Sequence, residues 1–290
     1  MSYSKRISEV FRYAPEIPFD DNSKIVLISD CHRGDGSWTD SFAANRNLFL
    51  AALKEYNKSK FTYIELGDGD ELWESTDFAV ITKLYKDIFA LMSRFFRDGR
   101  LYLLYGNHDM VKKDPEFIKK HFESGAVDFP GIAIHEGIIF RHKNEGYGLY
   151  LLHGHQADYF NDRLWKLSRF LVHYLWTPLE RLGGNDPTSA SQNGRKKGKV
   201  ERRLSRWASE QASILVAGHT HRPVFPEPGK GLYFNGGSCV HREYITAIEL
   251  KDGALSLVKW SQKVARDGTI YVGRDVLYGP EKLSEYFDKA

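Results

Sequence analysis

The sequence predicts an α/β fold in which two β-sheets pack face to face, with helices on their outer sides and a helical cap inserted late in the chain. Three observations predict it. The first half alternates strand-like and helix-like segments. The second half breaks into short apolar runs between turn residues. From about Gln156 to Gln211 those runs stop, and a stretch rich in Trp, Phe, Leu, Tyr and Arg takes their place.

Taken in order, residues 1–23 read as an N-terminal arm, with turn chemistry at Pro15, Pro18 and Asp20-Asp21-Asn22. Lys24 to Ser29 is a β-branched run that suits a buried strand. Ser41 to Lys54 carries a helical pattern, Phe61 to Leu66 is strand-like, Asp77 to Asp98 has apolar residues near a period of 3.6, and Leu101 to Tyr105 is again strand-like. This β-α-β-α-β order calls for parallel strands. Runs at Ile132–His135, Gly137–Arg141, Gly148–His153, Ile214–Ala217, Leu232–Asn235, Tyr244–Leu250 and Ala254–Trp260 suggest a second, more antiparallel sheet. The domain so defined spans residues 24–260, interrupted by the cap at about 156–211 and followed by a C-terminal tail, 261–290.

Composition narrows the function classes. A formal net charge of +3 over 290 residues argues against general nucleic-acid binding. The two cysteines, Cys31 and Cys239, make neither a zinc-ligand spacing nor a disulfide framework, which favours a reducing compartment. No segment reads as a signal peptide or a membrane span. The expected location is cytoplasmic, with peripheral membrane contact through the cap left open.

Five short polar motifs carry the chemistry: Asp30-Cys31-His32, Gly67-Asp68 with Glu71, Gly106-Asn107-His108-Asp109, His153-Gly154-His155, and Gly218-His219-Thr220-His221. Each closes an apolar run, where open α/β sheets place their ligands. Mixed carboxylate, amide and imidazole donors suit first-row divalent ions such as manganese, iron or zinc. Two such ions need a bridging ligand, and Asp68 is the natural carboxylate for it. A water acidified between them would supply hydroxide at neutral pH.

In that order the motifs resemble those of the calcineurin-like metallophosphoesterases, over about residues 24–250. Within that superfamily Glu71-Leu72-Trp73, Gly218 to Pro223 and the helical insertion are similar to the UDP-2,3-diacylglucosamine hydrolases. The resemblance implies a four-layer α/β/β/α sandwich and two divalent ions, manganese first. Asp30, His32 and His221 would bind one ion, and Asn107, His153 and His219 the other, with Asp68 bridging. His108 would face the leaving group as proton donor, with Asp109 a candidate to orient it. The lipid-precursor hydrolases usually have Asp where His155 stands and Arg where His108 stands, which separates the substrate question from the metal set.

Other residues admit two readings. Arg33 and Arg222 are candidate phosphate clamps, or a surface residue and a loop anchor. His155 lines the pocket or stabilises a turn. Glu71 supports a ligating His or starts a helix. Trp165 and Trp176 hold an apolar part of the substrate, or pack on the body or a second subunit. The expected activity is hydrolysis of a phosphodiester or pyrophosphate bond by a metal-bridging hydroxide, on a small phosphorylated substrate such as a nucleotide-sugar or lipid-linked compound. Alternatives are a nucleotide or cyclic-nucleotide phosphodiesterase, a phosphomonoesterase and, remotely, a non-catalytic metal-binding scaffold.

Overall fold

A computed structural model describes residues 2–75, 77–123, 127–176 and 194–288. Strands β2 (Ile25–Ile28), β3 (Thr62–Leu66) and β4 (Leu101–Leu104) run parallel, as the alternation predicts, and β5 (Ile134–His135), expected in the second sheet, extends the same sheet parallel to β4. Beyond β2 the sheet continues antiparallel through β10 (Tyr244–Lys251), β11 (Ala254–Val264) and β12 (Ile270–Lys282), giving seven strands. The second sheet has five: β1 (Glu16–Phe19), β6 (Gly137–His142), β7 (Gly148–Leu152), β8 (Ile214–Ala217) and β9 (Tyr233–Asn235). Contrary to the expected antiparallel character, only β6 and β7 pair antiparallel there, and the runs at Tyr244–Leu250 and Ala254–Trp260 lie in the first sheet as its antiparallel extension.

The two-residue period of a strand explains the layering. In β2, Ile25 and Leu27 face the second sheet and join Ile138, Leu151, Val216 and Phe234 in one core. Val26 and Ile28 face the other way, into a second core with Phe49, Leu53, Ile88 and Phe95 from the helices Arg46–Lys58 and Lys86–Arg97. A sheet apolar on both faces must be covered on both, and the result is two mixed sheets flanked by helices.

Three boundaries differ from expectation. The N-terminal arm is a helix, Tyr3–Arg12, followed by β1. Its buried face, Ile7, Val10 and Phe11, has the i, i+3, i+4 spacing of a helix stripe, set among the charges of Lys5, Arg6, Glu9 and Arg12. The C-terminal tail is not appended either: β11 runs on to Val264 and β12 pairs along it. The last part of the expected cap, helix Gly194–Glu210, belongs to the body. Its Val200, Leu204, Trp207 and Ala208 are buried in the core, where Trp207 packs against Phe11 and Tyr150. Among the described residues, the rest of the cap holds short helices at Tyr159–Asp162 and Trp165–Leu171 and a π-helical turn, Val172–Trp176.

Candidate metal centre

The carboxyl ends of β2, β3, β4, β7 and β8 release loops on one side of the two sheets, and these loops carry the five motifs. Their backbones are strained. Of the nine non-glycine residues with positive φ among those described, five are Asp30 (54°), His32 (49°), Asp68 (50°), His219 (65°) and His221 (56°). Left-handed backbone costs an L-residue roughly 1–2 kcal/mol, and such strain persists where the surroundings over-determine it, commonly at functional sites. The loops also touch closely. A Cβ on Gly106 would lie 2.1 Å from Asp68 Oδ1, and one on Gly67 would lie 2.7 Å from the Gly106 nitrogen.

Among the described residues four donor groups gather: two are built on Asp30 and Asp68, a third, His32, Glu71 and His108, shares His32 with the first, and the fourth is Glu136, His155 and Asp162. Ligand atoms of Asp30, His32 and His221 lie within 4.8 Å of one another, and so do those of Asp68, His153 and His219. Asp30 Oδ1 is 3.1 Å from His221 Nε2 and 3.8 Å from His32 Nε2. Asp68 Oδ2 is 3.1 Å from His153 Nε2 and 3.7 Å from His32 Nε2, so it faces both sets. Asp30 Oδ1, Asn107 Oδ1, His153 Nε2 and His219 Nε2 are buried, and none makes a hydrogen bond. Buried polar atoms left in this way are rare and costly. Divalent cations in the two sets would satisfy those of Asp30, His153 and His219, so these residues fit a pair of ions.

Three candidate ligands, Asp30, His153 and His32, are held on the side away from the donor sets. Asp30 Oδ2 accepts the His219 N–H at 2.9 Å and the Ser29 hydroxyl. His153 Nδ1 donates to the Leu66 carbonyl at 2.9 Å, which leaves Nε2 as the coordinating nitrogen. His32 Nδ1 lies 2.8 Å from Glu71 Oε2, and His108 Nδ1 lies 2.9 Å from Glu71 Oε1. Glu71 therefore supports a ligand and the candidate proton donor together. Trp73 stacks on the His108 ring at 4.3 Å. Burial pulls the His108 pKa down, but Glu71 and Asp68 overcome it and hold it above the ordinary histidine value.

Two readings are corrected. Arg33 does not face a substrate. It is fully buried, with its fork on Glu65 at 2.8 and 2.9 Å and Nε on Asp70 at 2.7 Å. The backbone turns at His32, where φ is 49°, and Arg33 then bridges Asp70, so His32 faces the donor sets and Arg33 the interior. Asp109 does not orient His108. Its carboxylate accepts backbone N–H groups from Asp68, Gly69, Asp70 and Gly106, while Glu71 takes the imidazole.

The remaining candidates are more peripheral. His155 is buried, with both ring nitrogens unpartnered, and its ring centroid lies 5.5 Å from that of His153. Arg222 is bound to Glu201, whose Oε1 also accepts the Thr220 hydroxyl at 3.0 Å, so it braces the loop between His219 and His221. Trp165 is half-buried, with the Lys113 ammonium 5.1 Å from its ring centroid. The Trp176 side chain lies outside the described residues. Sequence reasoning missed Asp158, whose Oδ2 is 3.7 Å from His219 Nε2, and His173, which contacts the carbonyls of Trp73 and Glu74 and so ties the cap to the site.

The sequence profile described as calcineurin-like phosphoesterase matches residues 23–223. The chain belongs to that family. Among solved structures, the chain is similar to Vps29 of Chaetomium thermophilum, at 13% identity over 89% of this chain and 97% of that one, with a TM-score of 0.43. It is also similar to a cold-active protein-tyrosine phosphatase of a psychrophilic Shewanella, at 15% identity over 91% and 82% of the two chains, with a TM-score of 0.43. No curated protein matches it by sequence. Among the described residues, no helix of the phosphoesterase is long and apolar enough to cross a membrane.

Protons and metal ions compete for the same atoms in this site. Burial lowers the His153 pKa, but Asp68 and Asp30 outweigh it and raise it to about 9. A bound ion must displace the Nε2 proton below that value. Affinity for a divalent ion is therefore expected to rise as pH climbs toward about 9, with protons released on binding. Calorimetry in buffers of different ionisation enthalpy measures this; affinity that is flat or falling with pH would contradict it.

Proposed function

We propose that this phosphoesterase hydrolyses a phosphodiester or pyrophosphate bond in a small substrate, such as a nucleotide-sugar or a lipid-linked phosphate. The observation that carries the reading is Asp68 Oδ2 facing both donor sets, with His108 beside it. Manganese is the metal we assign, on the mixture of oxygen and nitrogen donors. A pair of bound ions would supply Lewis acidity toward the phosphoryl oxygens and an acidified water.

The chain's own residues do the rest. Glu71 fixes His108 through Nδ1, which presents Nε2 to the leaving oxygen as a general acid. Trp73 holds the imidazole plane. Asp30 and His153 keep their free atoms aimed inward because their other atoms are hydrogen-bonded. What supports a lipid-like substrate, and peripheral contact with a membrane through the cap, is apolar exposure on the cap helices. Phe160, Phe170 and Tyr174 are 56%, 57% and 66% exposed, with Arg163, Lys166 and Arg169 among them.

The test is a turnover screen of manganese-loaded protein against nucleoside-diphosphate sugars, nucleotides and phospholipid precursors, with bis-p-nitrophenyl phosphate as a general substrate. Diester or pyrophosphate turnover above monoester turnover is expected. Lipid-linked compounds should lose most when Trp165 is truncated. A fully metallated, folded chain without turnover on any of them would defeat the reading.

A further inference from the structure

Behind the metal loops lies a cluster of buried charges that the chemistry above does not use. Arg33, Glu65, Asp70, Asp109 and Lys112 are each 2% exposed or less. Lys112 Nζ sits between two carboxylates, 2.6 Å from Asp70 Oδ2 and 2.7 Å from Asp109 Oδ2. Arg33 takes the other oxygen of Asp70 and both oxygens of Glu65. Every charge in the cluster therefore has an opposite partner, at the high desolvation cost of burying them all. Burial works against the Lys112 ammonium, yet Asp109 and Asp70 hold its pKa above the ordinary lysine value.

The cluster's position gives it a role. Asp109 Oδ1 accepts the Gly106 N–H at 2.6 Å and the Asp68 N–H at 3.3 Å, and Oδ2 accepts the Gly69 N–H at 3.1 Å. One carboxylate thus fastens the loop bearing Asp68 to the loop bearing Asn107. The other contacts between these loops are tight, since neither Gly67 nor Gly106 has room for a Cβ. The relative placement of Asp68 and Asn107 then follows where Asp109 sits. Asp109 sits where Lys112 draws it, with its Oδ2 2.7 Å from the ammonium.

We propose that Lys112 is a positioning residue of the metal centre: by holding Asp109 against Asp70 it sets the spacing between Asp68 and Asn107, and through that spacing the affinity for metal. This rests on the metal-centre reading above, and it goes beyond it by assigning a buried cation that touches neither metal nor substrate. Lys112 stands outside all five motifs.

The experiment is a calorimetric titration of manganese into the full chain stripped of metal. Wild type, Lys112→Met, Lys112→Arg and the double variant Lys112→Met/Asp70→Asn are compared, with folding followed by circular dichroism. The double variant removes one buried cation and one buried anion, so it keeps the cluster's charge balance while still releasing Asp109. It is expected to fold and to bind manganese about tenfold or more weakly, the scale of losing a partner one shell out from a metal. Lys112→Arg is expected to recover most of that loss. At saturating manganese, kcat of the double variant on bis-p-nitrophenyl phosphate should be lower with KM unchanged. A folded double variant that binds manganese within about twofold of wild type would overturn the proposal, since a purely structural role predicts that result. Wild type that takes up no manganese would instead overturn the metal centre itself, and the same titration reads that first.

Discussion

Asp68→Asn is expected to remove nearly all turnover and to leave the chain folded. The substitution keeps the side chain's shape, and the amide oxygen can still accept the His108 N–H that Oδ1 accepts at 2.8 Å. What it removes is the negative charge between the two donor sets, where Oδ2 lies 3.1 Å from His153 Nε2 and 3.7 Å from His32 Nε2. A neutral amide is a poor bridge between two cations. The loss of metal affinity should exceed the roughly 10–100-fold that follows loss of an outer hydrogen-bond partner, because here an inner ligand goes. Metal analysis alongside turnover measures it. A variant with full metal content and more than a tenth of wild-type kcat would show that Asp68 does not bridge.

His108→Ala should behave differently. His108 belongs to neither set built on Asp30 and Asp68, and its ring is held by Glu71 and Trp73. Removing it should leave metal content unchanged and lower kcat by roughly 10²–10⁴-fold, the range for loss of a positioned general acid. The deficit should shrink for substrates whose leaving group is already acidic, since a stable leaving oxygen needs no proton. Comparing p-nitrophenyl esters with alkyl phosphodiesters separates the two cases. An equal deficit on both would place His108 in charge stabilisation rather than proton donation.

Most of the site was legible because its residues sit at strand ends, where sequence order and spatial convergence coincide. Asp30, Asp68, Asn107, His153, His219 and His221 each follow an apolar run, and the parallel topology brings those runs to one edge. What escaped was direction. Arg33 is next to a candidate ligand in sequence but turns inward, because the left-handed backbone at His32 redirects the chain there. Asp109 was placed beside His108 by adjacency, whereas its partners are backbone groups of another loop, which no spacing announces. The supports from the cap, Asp158 and His173, arise from tertiary packing and have no local signature.

The fold followed the same rule. Both cores were readable in the apolar runs, since β2 alone supplies residues to each. The ends of the chain were not. The Tyr3–Arg12 helix offers only three buried side chains among charges, and β12 alternates weakly because it lies at a sheet edge. Helix Gly194–Glu210 looked like a cap because its charges dominate the sequence. Its core-facing residues, Val200, Leu204, Trp207 and Ala208, still follow the helical period.

The most direct measurement is a crystal structure of the manganese-loaded chain with anomalous diffraction at the manganese edge. Two peaks about 3.5–4 Å apart, with Asp68 contacting both, Asp30, His32 and His221 on one, and Asn107, His153 and His219 on the other, are the expected result. A single peak, or two peaks that do not share Asp68, would contradict the account.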